Sequence, residues 1–234
     1  MKEVIKITIK DNLLYINDRI NEAKTKSGRK DNVELIAVTK TVDVDIIKEA
    51  IAAGVTDIGE NKVQELEKKI PLLGNSVNYH MIGYLQSNKV KYIINEVKLI
   101  HSLDRLSLAK EIDKRAKEHN MVVNTLLQIN IAEEETKFGL KSSEVIPFIE
   151  EIQKFTNLRI KGLMTIAPFT DDKKLLRNVF KTMVNFKKDI TNRKYENVSM
   201  DYLSMGMTND YEIAVEEGAN LIRIGTGIFG SRNY

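Results

Sequence analysis

The sequence predicts a parallel (β/α)8 barrel, an α/β fold of the TIM-barrel type. Three observations carry this prediction: short β-branched runs alternate with helical segments, about eight strands can be placed, and the 234 residues come close to the roughly 250 typical of one such barrel. The clearest strands lie at 35–38, 122–131, 158–166 and 221–224. Weaker ones fit at 57–59, 78–82, 99–102 and 198–203. Between them, apolar residues recur at helical spacing through Val44, Ile47, Ile51 and Ala52, through Leu106, Ala109, Ile112 and Ala116, and through Val145, Ile149 and Ile152. An open doubly wound sheet is the alternative, but it typically has fewer strands. After the last strand only 10 residues remain, the last being Tyr234, too few for a full eighth helix. The N-terminal helical segment 12–26 is expected to cover that gap beside the last strand. With three prolines and no low-complexity linker, 1–234 reads as a single domain.

Composition narrows the chemistry. The 36 basic and 33 acidic residues leave a net charge of +3, which gives no electrostatic footprint for nucleic acid. The absence of cysteine excludes a disulfide framework, a thiol nucleophile and any Cys-ligated metal site. Three histidines, His80, His101 and His119, do not make a multi-histidine metal site, so no metal is expected. The opening Met1-Lys2-Glu3-Val4-Ile5-Lys6 has no apolar region before a cleavage site, and no apolar run reaches the roughly 18 residues needed to span a bilayer. A cytoplasmic protein without membrane contact is expected. Chemistry, if any, must use lysine, carboxylates, hydroxyls or a borrowed cofactor.

In a barrel of this kind the functional residues gather at the C-terminal ends of the strands. Lys40 follows the first apolar run directly. Desolvation at the barrel mouth would lower its pKa and free an amine able to form a Schiff base; the plainer reading is a solvated lysine. Two glycine-bearing turns, Ser204-Met205-Gly206-Met207 and Ile224-Gly225-Thr226-Gly227, close the last two strands, where barrels commonly bind phosphate. Tight turning alone would also explain those glycines. Arg223, in an otherwise apolar strand, needs an acceptor if it points into the mouth, and a ring nitrogen or a carboxylate would serve. His80 reads equally as a packed, hydrogen-bonded residue or as part of a site. Glu60 is a candidate base or a helix cap. The run Glu133-Glu134-Glu135 reads as a solvated loop, and Lys137 beyond it as a surface lysine or an anion-steering one.

Taken together, these stretches resemble the pyridoxal phosphate homeostasis protein family, also called the proline synthetase co-transcribed homologue family. The resemblance rests on Leu35-Ile36-Ala37-Val38-Thr39-Lys40, Gly59-Glu60-Asn61, His80-Met81-Ile82-Gly83, Leu85-Gln86-Ser87-Asn88-Lys89, Ser102-Leu103-Asp104 and Gln128-Ile129-Asn130. It continues through Lys137-Phe138-Gly139, Gly162-Leu163-Met164, Leu203-Ser204-Met205-Gly206-Met207 and Ile222-Arg223-Ile224-Gly225-Thr226. Lys62 and Tyr79 depart from the family's usual aromatic and tryptophan at those positions. The resemblance implies a fold-type III pyridoxal 5'-phosphate (PLP) barrel akin to the N-terminal domain of alanine racemase. It further implies that Lys40 holds PLP as an internal aldimine, that Ser204, Gly206, Gly225 and Thr226 surround the phosphate, that Arg223 faces the pyridine nitrogen, and that Asn61, His80 and Met164 line the ring pocket.

An arginine at the ring nitrogen disfavours its protonation and restrains carbanion chemistry. Racemisation also needs two opposed acid/base groups, and in alanine racemase-like enzymes one comes from an additional C-terminal domain. With the chain ending at Tyr234, the expectation is a carrier and regulator of PLP that influences vitamin B6 and amino/keto acid pools. No residue is assigned a catalytic role, weak racemase-type activity is compatible, and PLP-dependent apo-enzymes are the candidate recipients. The mixed-charge surface is compatible with a monomer. The competing expectations are a single-domain amino-acid racemase and a barrel enzyme that binds a phosphorylated metabolite without PLP.

Overall fold

The computed structural model describes residues 8–230; Met1-Lys2-Glu3-Val4-Ile5-Lys6 and the end at Tyr234, both read above, lie outside the described residues. Eight parallel strands close into a barrel in chain order: β1 Glu34–Val38, β2 Asp57–Glu60, β3 Asn78–Met81, β4 Val97–Leu103, β5 Val123–Gln128, β6 Leu158–Met164, β7 Val198–Ser204 and β8 Leu221–Ile224. Closure is visible at Ala37, which stands opposite Ile58 on one side and Ile224 on the other. These strands are rich in Val, Ile and Leu because both faces are covered, one by helices and one by the barrel's own side chains.

All eight expected strands are present, and two are shorter than their apolar runs. The run over 122–131 stops at Gln128, beyond which Ile129 makes only an isolated bridge with Leu140. There the Asn130 side chain turns the chain by donating to the carbonyls of Glu134 (2.8 Å) and Lys137 (3.2 Å). The run over 158–166 stops at Met164, and the next residue, Thr165, turns its hydroxyl onto the Ile129 carbonyl at 2.8 Å.

The helices are α1 Ile9–Ser27, α2 Val44–Ala52, α3 Val63–Leu73, α4 Leu106–Glu118, α5 Val145–Ile152, α6 Lys173–Arg193, α7 Tyr211–Glu217 and α8 Thr226–Phe229. After β3 a 3-10 segment, Ser87–Tyr92, takes the helix position. A capping box of Thr8 and Asp11 starts α1, which buries Leu13, Ile16, Ile20 and Ala23 along one stripe. That stripe lies against α7 and the single-turn α8, beside the last strand as expected. Asn12 donates to the Ile228 carbonyl at 2.8 Å, and Lys26 pairs with Glu216 at 2.7 Å.

Two apolar clusters hold the molecule. The larger fills the space between strands and helices, with Ile47, Leu66, Ile112, Ile149, Phe180 and Val215 among its members. The smaller joins Ile36, Leu99, Leu126, Met164 and Leu221 from five different strands, as side chains filling a barrel do. Because strand side chains alternate, His101 and Arg223 face the same way as Leu99 and Leu221, two residues before them. The barrel interior is therefore apolar in one layer and polar in the next. Among the described residues, no helix is long and apolar enough to cross a membrane.

Candidate functional site

A cleft of about 570 Å3 opens at the C-terminal ends of the strands. Lys40 after β1, Lys137 after β5, Met207 to Asp210 after β7, and Arg223, Gly225 and Thr226 around the end of β8 all line it. Ile166, Leu176 and Ile213 add apolar wall. Four of the nine residues expected at the cofactor, Lys40, Arg223, Gly225 and Thr226, are thus together in one cavity.

Lys40 is half-buried, on a turn. The residue after it, Thr41, has φ +62°, a left-handed conformation that is costly for a β-branched side chain. Buried groups on β2 and α3 brace this turn. The Thr39 hydroxyl donates to Glu60 at 2.6 Å, and the Lys69 ammonium donates to the Thr39 carbonyl, to Glu60 and to Glu65 at 2.8 to 2.9 Å. Burial pushes the Glu60 carboxyl up, against the pull of Lys69 and Thr39, while the hydrogen bond from Lys69 draws the Glu65 carboxyl down. The other Glu60 oxygen, Oε2, is buried with no hydrogen-bond partner. Glu60 is thus neither a helix cap nor a solvent-facing base; it is part of the frame beneath Lys40.

Arg223 is held differently. It is buried inside the barrel, donating to the Ser204 hydroxyl at 2.6 Å and to the Thr165 carbonyl at 2.8 Å. Burial lowers its guanidinium to about 10, opposed by the charge of Asp210, so it is still a cation at neutral pH. Asp210 itself accepts the Met207 amide at 2.6 Å, and burial pushes its carboxyl up. Behind Ser204 the polar layer continues: His101 Nδ1 is 3.1 Å from the Ser204 hydroxyl, and its Nε2 is 3.1 Å from His80 Nδ1. His80 Nε2 is 2.9 Å from Asp57.

The remaining expected residues fall outside the cleft lining. His80 is packed and hydrogen-bonded in the barrel interior, which was one of its two readings. Met164 is in the inner apolar cluster, and Ser204 sits beneath Arg223. Gly206 has φ +96°, and a Cβ there would meet Ala214 Cβ at 2.7 Å and Tyr211 Cα at 2.9 Å, so α7 can pack closely only against a glycine. Gly225 lies against β1, where a Cβ would come within 3.3 Å of the Val38 carbonyl. The Asn61 backbone approaches Gly83 too closely for a side chain there, 2.3 Å from its carbonyl oxygen to a Cβ position.

Three features escaped the sequence reading. Asp57 and His101 were passed over as ordinary strand residues, although a polar side chain within an apolar run was the available signal. Asp210 was not singled out at all. The acidic loop is also less idle than expected. Glu134 pairs with Lys137 at 2.7 Å, and Lys137 also donates to the Ala167 carbonyl at 3.2 Å, which holds its ammonium in the cleft wall.

Comparison with known proteins adds three findings. Residues 12–233 match the family model described as the alanine racemase N-terminal domain. The chain is 40% identical over 226 residues to the pyridoxal phosphate homeostasis protein of Aquifex aeolicus, covering 96% of this chain and 98% of that one. It is 36% identical over 229 residues to the protein of the same name from Pseudomonas aeruginosa, covering 97% of each. Among solved structures, PipY of Synechococcus elongatus with PLP bound matches with a TM-score of 0.83 at 30% identity, covering 95% of this chain and all 100% of that one. An alanine racemase of Clostridium difficile shares the fold alone, with a TM-score of 0.73 at 16% identity; the match covers 60% of its length.

Proposed function

Because the chain belongs to the pyridoxal phosphate homeostasis proteins, within the alanine racemase N-terminal domain family, we propose that it binds PLP at the C-terminal cleft and carries and regulates it rather than turning over an amino acid. The observation that carries this reading is the convergence of Lys40, Arg223 and the Gly225-Thr226 turn on one cavity. The cavity fits the ligand. Its volume lies within the roughly 300 to 1,000 Å3 usual for small-molecule sites. It offers an amine, a guanidinium, hydroxyls from Thr208 and Thr226, and the apolar walls of Ile166 and Met207.

When bound, PLP supplies an aldehyde that condenses with amines and an aromatic ring that withdraws electrons. Lys40 presents its amine to that aldehyde from a turn braced against Glu60, Glu65 and Lys69. Thr226 and Gly225 take the phosphate end through hydroxyl and backbone donors. Ser204 and Gly206 act one step back, Ser204 by orienting Arg223 and Gly206 by letting α7 close against the turn. Arg223, a buried cation, would face the ring nitrogen and disfavour its protonation, which would weaken the ring as an electron sink and favour a carrier. His80 and Met164 support the ring pocket from within the barrel, and Asn61 closes its β2 side. We place this function in the cytoplasm, in one domain spanning 1–234 and acting as a monomer, with PLP-dependent apo-enzymes as recipients.

The test is spectroscopic. Purified protein mixed with PLP is expected to gain an absorbance band that borohydride removes while fixing the cofactor to Lys40, and Lys40→Ala is expected to lose both. A band that persists unchanged in Lys40→Ala overturns the lysine assignment. Rapid exchange of the α-proton of L-amino acids in D2O, with formation of the D-enantiomer, overturns the carrier reading in favour of a racemase.

A further inference from the structure

Arg223 is a cation inside the barrel, only 3% exposed. Among the described residues it makes no ion pair, and its direct acceptors, a hydroxyl and a carbonyl, are both neutral. A buried charge is costly unless it is compensated, and Asp210 acts on this one only through space, with no hydrogen bond between them. Starting at Ser204, a line of side chains leads away from it, and each has a fixed hydrogen-bonding sense.

The far end sets the direction. Asp57 accepts from Lys98 at 2.9 Å and from Thr56 at 2.8 Å. Burial alone would raise its carboxyl, but the bonds from His80, Lys98 and Thr56 together hold it well below the usual carboxylate range, so it is ionised and can only accept. His80 Nε2 must therefore carry the proton donated to it. The charged groups facing His80 are Asp57, Lys98 and Glu34, and burial outweighs them, leaving the ring neutral. Its Nδ1 is then an acceptor, and His101 Nε2–H must donate to it. His101 is also neutral, pushed well down by burial and by the charge of Arg223. Its Nδ1 accepts from the Ser204 hydroxyl, which accepts in turn from Arg223.

We propose that Asp57, His80 and His101 are positioning residues for Arg223: a one-directional hydrogen-bond chain runs from its guanidinium through the barrel to the Asp57 carboxylate at the opposite mouth, and adds there a hydrogen-bonded counter-charge to the one that Asp210 exerts without touching it. The chain draws on β2, β3, β4, β7 and β8, and every link is 3.1 Å or shorter. Successive hydrogen bonds in a buried chain polarise one another, so the negative end is felt at the positive one. Asp57 and Lys98 line a separate pocket of about 420 Å3 with Glu34 and Thr56. Both mouths of the barrel are thus tied to the orientation of one guanidinium.

Histidine-ring NMR on the ligand-free chain tests this directly, and with three histidines the signals can be assigned by single substitution. His80 and His101 are both expected as neutral rings protonated on Nε2 between about pH 8 and about pH 7. A ring protonated on Nδ1, or an imidazolium at either position in that range, overturns the proposal, and this measurement needs no variant of the chain. In Asp57→Asn the His101 ring nitrogens are expected to shift although Asp57 touches only His80. Unmoved His101 signals in a folded variant overturn the coupling. Neither outcome depends on PLP binding, so failure here is distinguishable from failure of the cleft assignment.

Discussion

Lys40 and Arg223 line the same cleft and carry the same formal charge, yet the structure holds them in opposite ways. Lys40 stands half-buried on a strained turn beyond β1, and the carboxylates near it, Glu60 and Glu65, grip its backbone frame through Lys69 and Thr39. Arg223 lies on β8 inside the barrel, with a hydroxyl and a carbonyl as acceptors and its carboxylate several links away. Under the proposed function, the difference matches what each position would have to do. An amine that is to react has to reach and exchange protons, so its support belongs beneath the turn. A guanidinium that would bias a ring nitrogen has to stay charged and still, and Arg223 is packed among strands, hydrogen-bonded to neutral acceptors and near Asp210.

The largest expected effect comes from breaking the Lys40 side. Lys69→Met leaves Glu60 buried without its cation, a loss that typically costs about 3 to 5 kcal/mol. Urea unfolding is expected to show that loss, with Glu60→Gln in the same chain restoring part of it. The His80 and His101 ring signals are expected to stay in place; movement of either would mean the two supports are one network.

The Arg223 side is tested by acid. His80 and His101 are buried neutral, with folded pKa values below that of an unfolded histidine at about 6.5. Below that value the unfolded chain takes up protons that the folded chain refuses, so their contribution is present above pH 6.5 or so and is lost as pH falls. The two rings together are expected to lower stability across about pH 7.5 to about pH 5.5, each by at most about 1.4 kcal/mol per pH unit. The urea midpoint followed across that range checks this, and the same slope in His119→Gln would assign it to the buried pair.

The smallest effect sharpens the contrast. Thr41→Gly is expected to relieve the left-handed strain next to Lys40 and raise stability by up to about 1 kcal/mol, once glycine's extra chain entropy is subtracted. A thermal melt reads the sign. A drop would show that the Thr41 hydroxyl, 2.6 Å from the Lys40 carbonyl, outweighs the strain.

Much of this molecule was legible in the residues. The β-branched runs located four of the strands and weaker runs the other four, the N-terminal helical segment was expected beside the last strand where α1 lies, and Lys40 drew attention by following an apolar run directly. Glu60 and His80 were visible as polar residues in apolar surroundings, but each kept two readings. Their partners lie far along the chain: His80 and His101 are 21 residues apart, and His101 and Ser204 are 103 apart. No local spacing encodes such pairs. Asp57 was missed for the same reason, since its meaning depends on which strand closes beside β2 and in what register.

The sequence by itself determined the strand order, the cysteine-free chemistry, and the placing of a lysine and an arginine at the ends of the first and last strands. Those properties follow from composition and from periodicities that act within a few residues. Only the tertiary structure decided which groups answer the two charges, because that depends on barrel closure and strand register. Closure brings β1 beside β8, puts Lys40 and Arg223 on one cleft, and aligns five strands so that a carboxylate at one mouth can compensate a guanidinium at the other.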